Sequence, residues 1–304
     1  MDVMMQNGVK EKYTAAMNSF IDKIKDDPNV IAVIVCGSLA YDVVWEKSDI
    51  DMTVIVRDQV LKSHSYCITE DDIVINVNLV LRSNFKRSFE QMTGGSFLQS
   101  YYNKGKMLYT TDESLEEYFE EMKVMGKDDI SLSIFFLACE LIHLCDKCTK
   151  WLVVKKDTKY AQYYLLKAAE LIARIEVCLN GEPPTRECIQ KAKEFRPDII
   201  NPYYEEAMSH LFTKEEIEIR LQIIDNYLEE HLDVIKEPAV SFMSDGELKT
   251  LTILTKHFHT DGHFIVGIFD YLSDKGVIEK VSQTIRLTPK SKLAVEELGY
   301  LYIL

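Results

Sequence analysis

The apolar positions divide the chain into segments of different period. Tyr13, Met17, Phe20, Ile21 and Ile24 recur at helical spacing, which predicts a helix over Lys10–Lys25 that ends at Asp26-Asp27-Pro28-Asn29. Two β-rich runs follow, Val30–Val35 and Asp51–Val56, separated by a Gly-Ser turn and a loop. His64–Ile68 and Ile73–Leu81 predict a hairpin across the polar turn Thr69–Asp72. In its second strand, Ile73, Ile75, Val77, Leu79 and Leu81 share one face, and Val74, Asn76, Asn78 and Val80 the other. A helix over Arg82–Met92, the pair Gly94-Gly95 and a helix start at Thr111-Asp112-Glu113 bring this part to a boundary near residue 110.

The middle of the chain has the longer period of helices. Ile130–Leu144 is apolar almost all round, the pattern of a helix buried in a bundle, and Lys159–Leu179 predicts a second long helix. Asn180-Gly181-Glu182-Pro183-Pro184-Thr185 is a stop, turn and cap, and Arg186–Phe195 and Lys214–Leu232 are further helices. Ile235-Lys236-Glu237-Pro238 has the composition of a linker. Beyond it, helices over Ser244–Lys256 and Phe264–Lys275, a hairpin of Gly276–Lys280 with Gln283–Thr288, and a last helix over Lys290–Leu298 form a winged-helix-like module. The expected class is α+β in three domains: a mixed-sheet domain (1–110), a helical bundle (111–237) and a small winged helix (238–304).

Composition narrows what such a chain can do. It has 304 residues, 47% of them hydrophobic, and a net charge of -14. That charge repels nucleic acid unless a basic patch is segregated, which favours a small-molecule or protein partner. In the candidate recognition helix Asp261, Asp270 and Asp274 stand against Lys275, so packing or homodimer formation is expected of the module rather than DNA binding. No run is long and apolar enough for a transmembrane helix, and Met1–Lys10 lacks a signal-peptide core. The seven cysteines fit free thiols in a reducing cytoplasm. Cys145 and Cys148 form a single Cys-x-x-Cys, too little for structural zinc, and His257, His259 and His263 read as a turn between helices.

The chemistry concentrates in Val35-Cys36-Gly37-Ser38-Leu39-Ala40 and Ser48-Asp49-Ile50-Asp51-Met52. Strand geometry puts Asp49 and Asp51 on one face and Ile50 and Met52 on the other. Paired carboxylates repel unless a cation sits between them, and hard oxygen donors suit Mg²⁺ or Mn²⁺. Gly37 permits close backbone approach, and the Ser38 hydroxyl can bond a phosphate oxygen.

These residues resemble the signature of the nucleotidyltransferase superfamily, the polymerase-β-like fold. The pattern is similar to that of minimal and antibiotic-modifying (kanamycin- or lincosamide-type) members, with Gly37, Ser38, Ala40, Ser48, Asp49, Ile50 and Asp51 in register and Tyr41 and Asp42 replacing an Arg and a Gly. The resemblance implies transfer of a nucleoside monophosphate, AMP from ATP, to a hydroxyl of a small molecule or protein. It assigns the metal to Asp49 and Asp51, and the nucleotide to Gly37, Ser38, Ser48, Lys104 and Lys106, the two lysines lying in a segment, Lys104–Tyr109, that resembles the last strand of the family's catalytic domain. It also implies a third carboxylate on a neighbouring strand, where this chain has Asn76 or Asn78. Asn78 is taken as the third metal ligand, with Asp71 or Asp72 as alternatives. An amide can ligate a metal but cannot accept a proton. The middle domain resembles the helical substrate domain of antibiotic-modifying relatives, with the active site in the cleft before it. There Glu140, expected to be buried beside His143, is the acceptor-side base. Loss of the third carboxylate leaves a second expectation, a nucleotide-binding sensor with the winged helix as its output.

Overall fold

The computed structural model describes residues 3–40, 44–90, 101–102, 105–121, 123, 126–184 and 187–303. They fall into two compact units, 1–125 and 126–304. The expected boundary near 110 lies inside the first.

The first unit is one mixed sheet with a hydrophobic layer on each face. Helix α1 (Val3–Ile24) leads into β1 (Val30–Cys36), the single turn α2 (Gly37–Ala40), and β2 (Ile50–Val56). The hairpin β3 (Ser65–Glu70) and β4 (Ile73–Leu81) follows, then α3 (Arg82–Glu90), β5 (Lys106–Thr110) and α4 (Glu113–Glu121). The strand order is β3-β4-β2-β1-β5, with β2 and β4 parallel and the other neighbours antiparallel. Strand alternation sorts the two layers. Val33, Val35, Ile50, Met52, Val54, Ile73 and Ile75 pack on Met17 and Phe20 of α1. Ile34, Cys36 and Ile55 pack instead on Phe85, Tyr102, and Leu115 and Phe119 of α4. On that second face β4 presents Asn76 and Asn78, so one part of the sheet remains polar.

The second unit is helical. Helix α5 (Lys127–Thr149) runs into a π turn at Lys150–Val154, and α6 (Thr158–Leu179) starts from Asp157, whose carboxylate accepts the Tyr160 amide N–H. Three short helices follow, α7 (Cys188–Phe195), α8 (Pro197–Ile200) and α9 (Glu205–Ser209). Then α10 (Lys214–Glu230), opened by a Thr213–Glu216 capping box, is succeeded by α11 (Leu232–Met243). The segment expected as a linker is part of α11, with Pro238 inside the helix. Ile235, Ala239 and Met243, one turn apart on the buried face, hold it against the bundle and outweigh the missing Pro238 N–H.

The C-terminal module consists of β6 (Lys249–Thr250), α12 (Leu251–His257), α13 (Gly262–Asp274), β7 (Glu279–Ile285) and β8 (Val295–Leu301), with sheet order β6-β8-β7. The helix expected over Lys290–Leu298 does not form. Residues Val295–Leu301 are the central strand, and the hairpin pairs Glu279–Ile285 with Val295–Leu301 in place of the expected Gly276–Lys280 with Gln283–Thr288. Local helix propensity loses here to pairing on both edges of β8. Gly299 fits this position because a Cβ there would lie 3.1 Å from the Lys249 carbonyl oxygen. Phe258, Phe269 and Tyr300 of the module share one continuous core with Phe135 and Leu141 of α5.

Candidate active site

The turn after β1 requires glycine. Gly37 has φ +66°, and a Cβ on it would collide with the Asp51 carboxylate. This close approach stacks the Gly37-Ser38 backbone against the start of β2. Ile50 and Met52 are fully buried, which turns Asp51 to the opposite, polar face. Asp49 stands exposed just before β2.

Register then assigns the amide. Asp51 is opposite Asn76 in the parallel β2–β4 pair, and Thr53 is opposite Asn78. The Asn76 amide nitrogen donates to Asp49 Oδ2 at 2.6 Å and to Asp51 Oδ1 at 3.4 Å. One neutral side chain thus ties the two carboxylates together. Asn78, expected as the metal ligand, stands beside Thr53, two residues further along the strand. Asp71 and Asp72 occupy the β3–β4 turn, both at positive φ (48° and 63°).

The row continues in both directions. Cys67 is opposite Asn76 on β3, and Cys36 is opposite Asp51 on β1. A cavity of about 390 Å³ opens on this face, lined by Asp51, Asn76, Asn78, Ser65, Cys67 and Tyr101. Beneath it the Thr53 hydroxyl lies 3.1 Å from the Tyr102 hydroxyl. Burial, reinforced by the Asp51 charge, pushes the Cys36 thiol up to about 12 against bonding to Tyr101 and Thr53. Burial also raises the Tyr101 phenol, helped by Cys36 and Asp51. Both hold their protons at neutral pH, so neither is a base. Thr53 was legible from strand period, two residues after Asp51. Cys36 and Cys67 join the row only through pairing register, and Tyr101 carries no local signal.

The remaining expected site residues have other surroundings. Ser48 closes its loop: its hydroxyl accepts the Trp45 N–H at 3.2 Å, and its carbonyl accepts the Tyr13 hydroxyl of α1 at 2.8 Å. Burial, then the nearby Asp49 charge, raises the Tyr13 phenol. Ser38 is half-buried directly after Gly37. Lys106 is exposed and in register with Val35, whose side chain packs on the α1 side of the sheet. Lys104 lies outside the described residues, as do Tyr41 and Asp42. Glu140, in the second unit, is exposed rather than buried, because the buried stripe of α5 runs through Leu137, Ala138, Cys139 and Leu141 around it. His143 instead bonds the Phe264 carbonyl at 2.8 Å.

Asp49, Asp51 and the Asn76 amide oxygen, once the amide is turned, form an all-oxygen donor set that fits a hard divalent cation. Among the described residues no group of three or more His, Cys, Asp or Glu is gathered for a metal, so the set consists of two carboxylates and an amide.

Residues 18–114 match the family model described as polymerase beta, nucleotidyltransferase. This span contains Gly37, Ser38, Asp49, Asp51 and Asn76, and it forms a nucleotidyltransferase domain. The crystal structure of a nucleotidyltransferase-like protein from Exiguobacterium sibiricum 255-15 has a similar fold, with TM-score 0.66 and 15% identity over 95% of this chain and 99% of that one. No curated protein matches the chain. Among the described residues, no helix is long and apolar enough to cross a membrane.

Proposed function

We propose that the protein transfers a nucleoside monophosphate, AMP from ATP, to a hydroxyl group of a small molecule or protein. The observation that carries this reading is the pairing of Gly37 with Asp51: a backbone turn at positive φ, free of a side chain, packed against the Asp51 carboxylate of β2. Asp49 and Asp51 would hold a divalent cation, Mg²⁺ or Mn²⁺, whose charge would be offset against that of the phosphate oxygens. The Gly37 backbone and the Ser38 hydroxyl bind and orient the phosphates. The acceptor oxygen bonds to the α-phosphorus as the bond to pyrophosphate breaks.

The acceptor's proton distinguishes this reading from a second one. Asn76 cannot take it, and the Cys36 and Tyr101 groups remain protonated. Of the described residues that line this cavity only Asp51 is a carboxylate, with Asp49 joined to it through Asn76, leaving these two, water or the acceptor itself to receive it. The amide at position 76 therefore favours a slow transferase, or a domain that binds nucleotide and reports it without transfer.

Calorimetric titration of ATP with Mg²⁺ or Mn²⁺, together with a pyrophosphate-release assay on pooled hydroxyl acceptors, tests both. The expected result is metal-dependent binding, weakened at least tenfold in Asp49→Asn/Asp51→Asn, with pyrophosphate released from one pool. Binding without release from any pool supports the sensor reading. Absence of nucleotide binding by the wild type overturns both.

A further inference from the structure

The helical unit contains a second cavity, of about 540 Å³, between the end of α5, the π turn and α13. Its volume is within the usual range for small-ligand sites. Lys147, Lys150 and Lys155 line it, and none of the three has a carboxylate partner among the described residues. In a chain of net charge -14, three uncompensated ammonium groups around one cavity call for an anion.

The backbone is shaped to gather them. The Lys155 N–H donates to the Lys150 carbonyl at 3.2 Å, the i+5 bond of a π turn. In a regular α-helix residues five apart diverge by about 140° around the axis. The wider turn brings them toward one side, so that both lysines reach the same cavity.

Two carboxylates also line the cavity, and neither cancels this charge. Asp270 is engaged by Lys280 at 2.7 Å and by the Tyr300 hydroxyl at 2.7 Å. Asp146 answers one of the three ammonium groups at most, so the cavity keeps a positive excess. The other walls are flat rings. Trp151 and Tyr164 line the cavity, with Trp151 steadied by Tyr160 at 4.2 Å between ring centroids. Lysines supply point charges for phosphate, and aromatic faces supply stacking surface for a planar ring.

We propose that this cavity is a binding site for a small phosphorylated ligand bearing a planar ring, of the nucleoside monophosphate class. The lining residues all fall within 143–270, in the second unit.

The test uses the full chain carrying Asp49→Asn/Asp51→Asn, which disables the first site, and AMP as the probe. Calorimetry measures affinity, and the emission of Trp151 in a further Trp45→Phe background locates the ligand. The expected result is saturable AMP binding that alters Trp151 emission and weakens at least tenfold in Lys150→Ala/Lys155→Ala. Both lysines are exposed, so the fold is expected to survive, and far-UV circular dichroism checks it. Adenosine and inorganic phosphate, each lacking one half of the recognition, should bind at least tenfold more weakly than AMP. The proposal is overturned if AMP does not bind in this background, or if the lysine variant binds it as tightly as its parent.

Discussion

Asn76 bears the main chemical tension of the first unit. Its amide nitrogen donates to both Asp49 and Asp51, doing with a neutral donor what a cation does with charge. Replacing it by aspartate removes that donor and adds a third carboxylate. Losing a hydrogen bond to charged acceptors costs about 1.5–3 kcal/mol, before repulsion is counted. Asn76→Asp is therefore expected to melt about 3–10 °C below the wild type in EDTA. Millimolar Mn²⁺ should recover most of that loss while shifting the wild type much less. Differential scanning fluorimetry with and without the cation measures both. If the variant melts with the wild type in EDTA, the amide does not reconcile the carboxylates. If Mn²⁺ restores nothing, the site does not take a cation.

At the level of elements, the β3–β4 hairpin is closed by Asp71 and Asp72, both in left-handed backbone conformations. A two-residue turn of this kind favours Asn-Gly. Asp71→Asn/Asp72→Gly should stabilise the protein by about 0.5–1 kcal/mol, the relief at position 72 being partly offset by the greater freedom of glycine in the unfolded chain. A higher urea midpoint at unchanged m-value is the expected reading, and a lower midpoint refutes it. This hairpin was legible because its signals are local: alternating apolar residues on both sides of a polar turn. The Gly37-Ser38 turn and the faces of β2 were legible for the same reason. What escaped depends on distant partners. The choice of Asn76 over Asn78 as the amide beside Asp51 follows from the parallel β2–β4 register, which no local pattern encodes. Val295–Leu301 is a strand because β6 and β7 flank it. Pro238 is tolerated in α11 because Ile235, Ala239 and Met243 bury against the bundle. Glu140 could not be oriented by sequence, since a helix apolar on nearly every side does not announce which narrow strip meets solvent.

For the whole molecule, the distribution of buried side chains is the informative feature. The two clusters on the faces of the sheet draw all their buried members from residues 13–119, and the third draws all of its own from 134–300. The third cluster joins the long helices to the C-terminal sheet through Phe135, Phe258, Phe269 and Tyr300, with Phe135 and Phe258 stacked at 5.0 Å. A chain segment that buries its own apolar surface in this way has what independent folding requires. Residues 126–304, expressed alone, are thus expected to keep a helical far-UV spectrum, retain near-UV signals from Trp151 and its tyrosine neighbours, and melt cooperatively. A fragment with helical signal but no near-UV spectrum, binding a hydrophobic dye, would mean that its packing depends on residues 1–125. Cutting before α12 should have the opposite effect. Residues 126–243 lack Phe258, Phe269 and Tyr300, which expose the Phe135 side of α5 when removed, and this shorter fragment should lose the cooperative transition. The contrast between the two fragments separates a module that merely follows the bundle from one that completes its core.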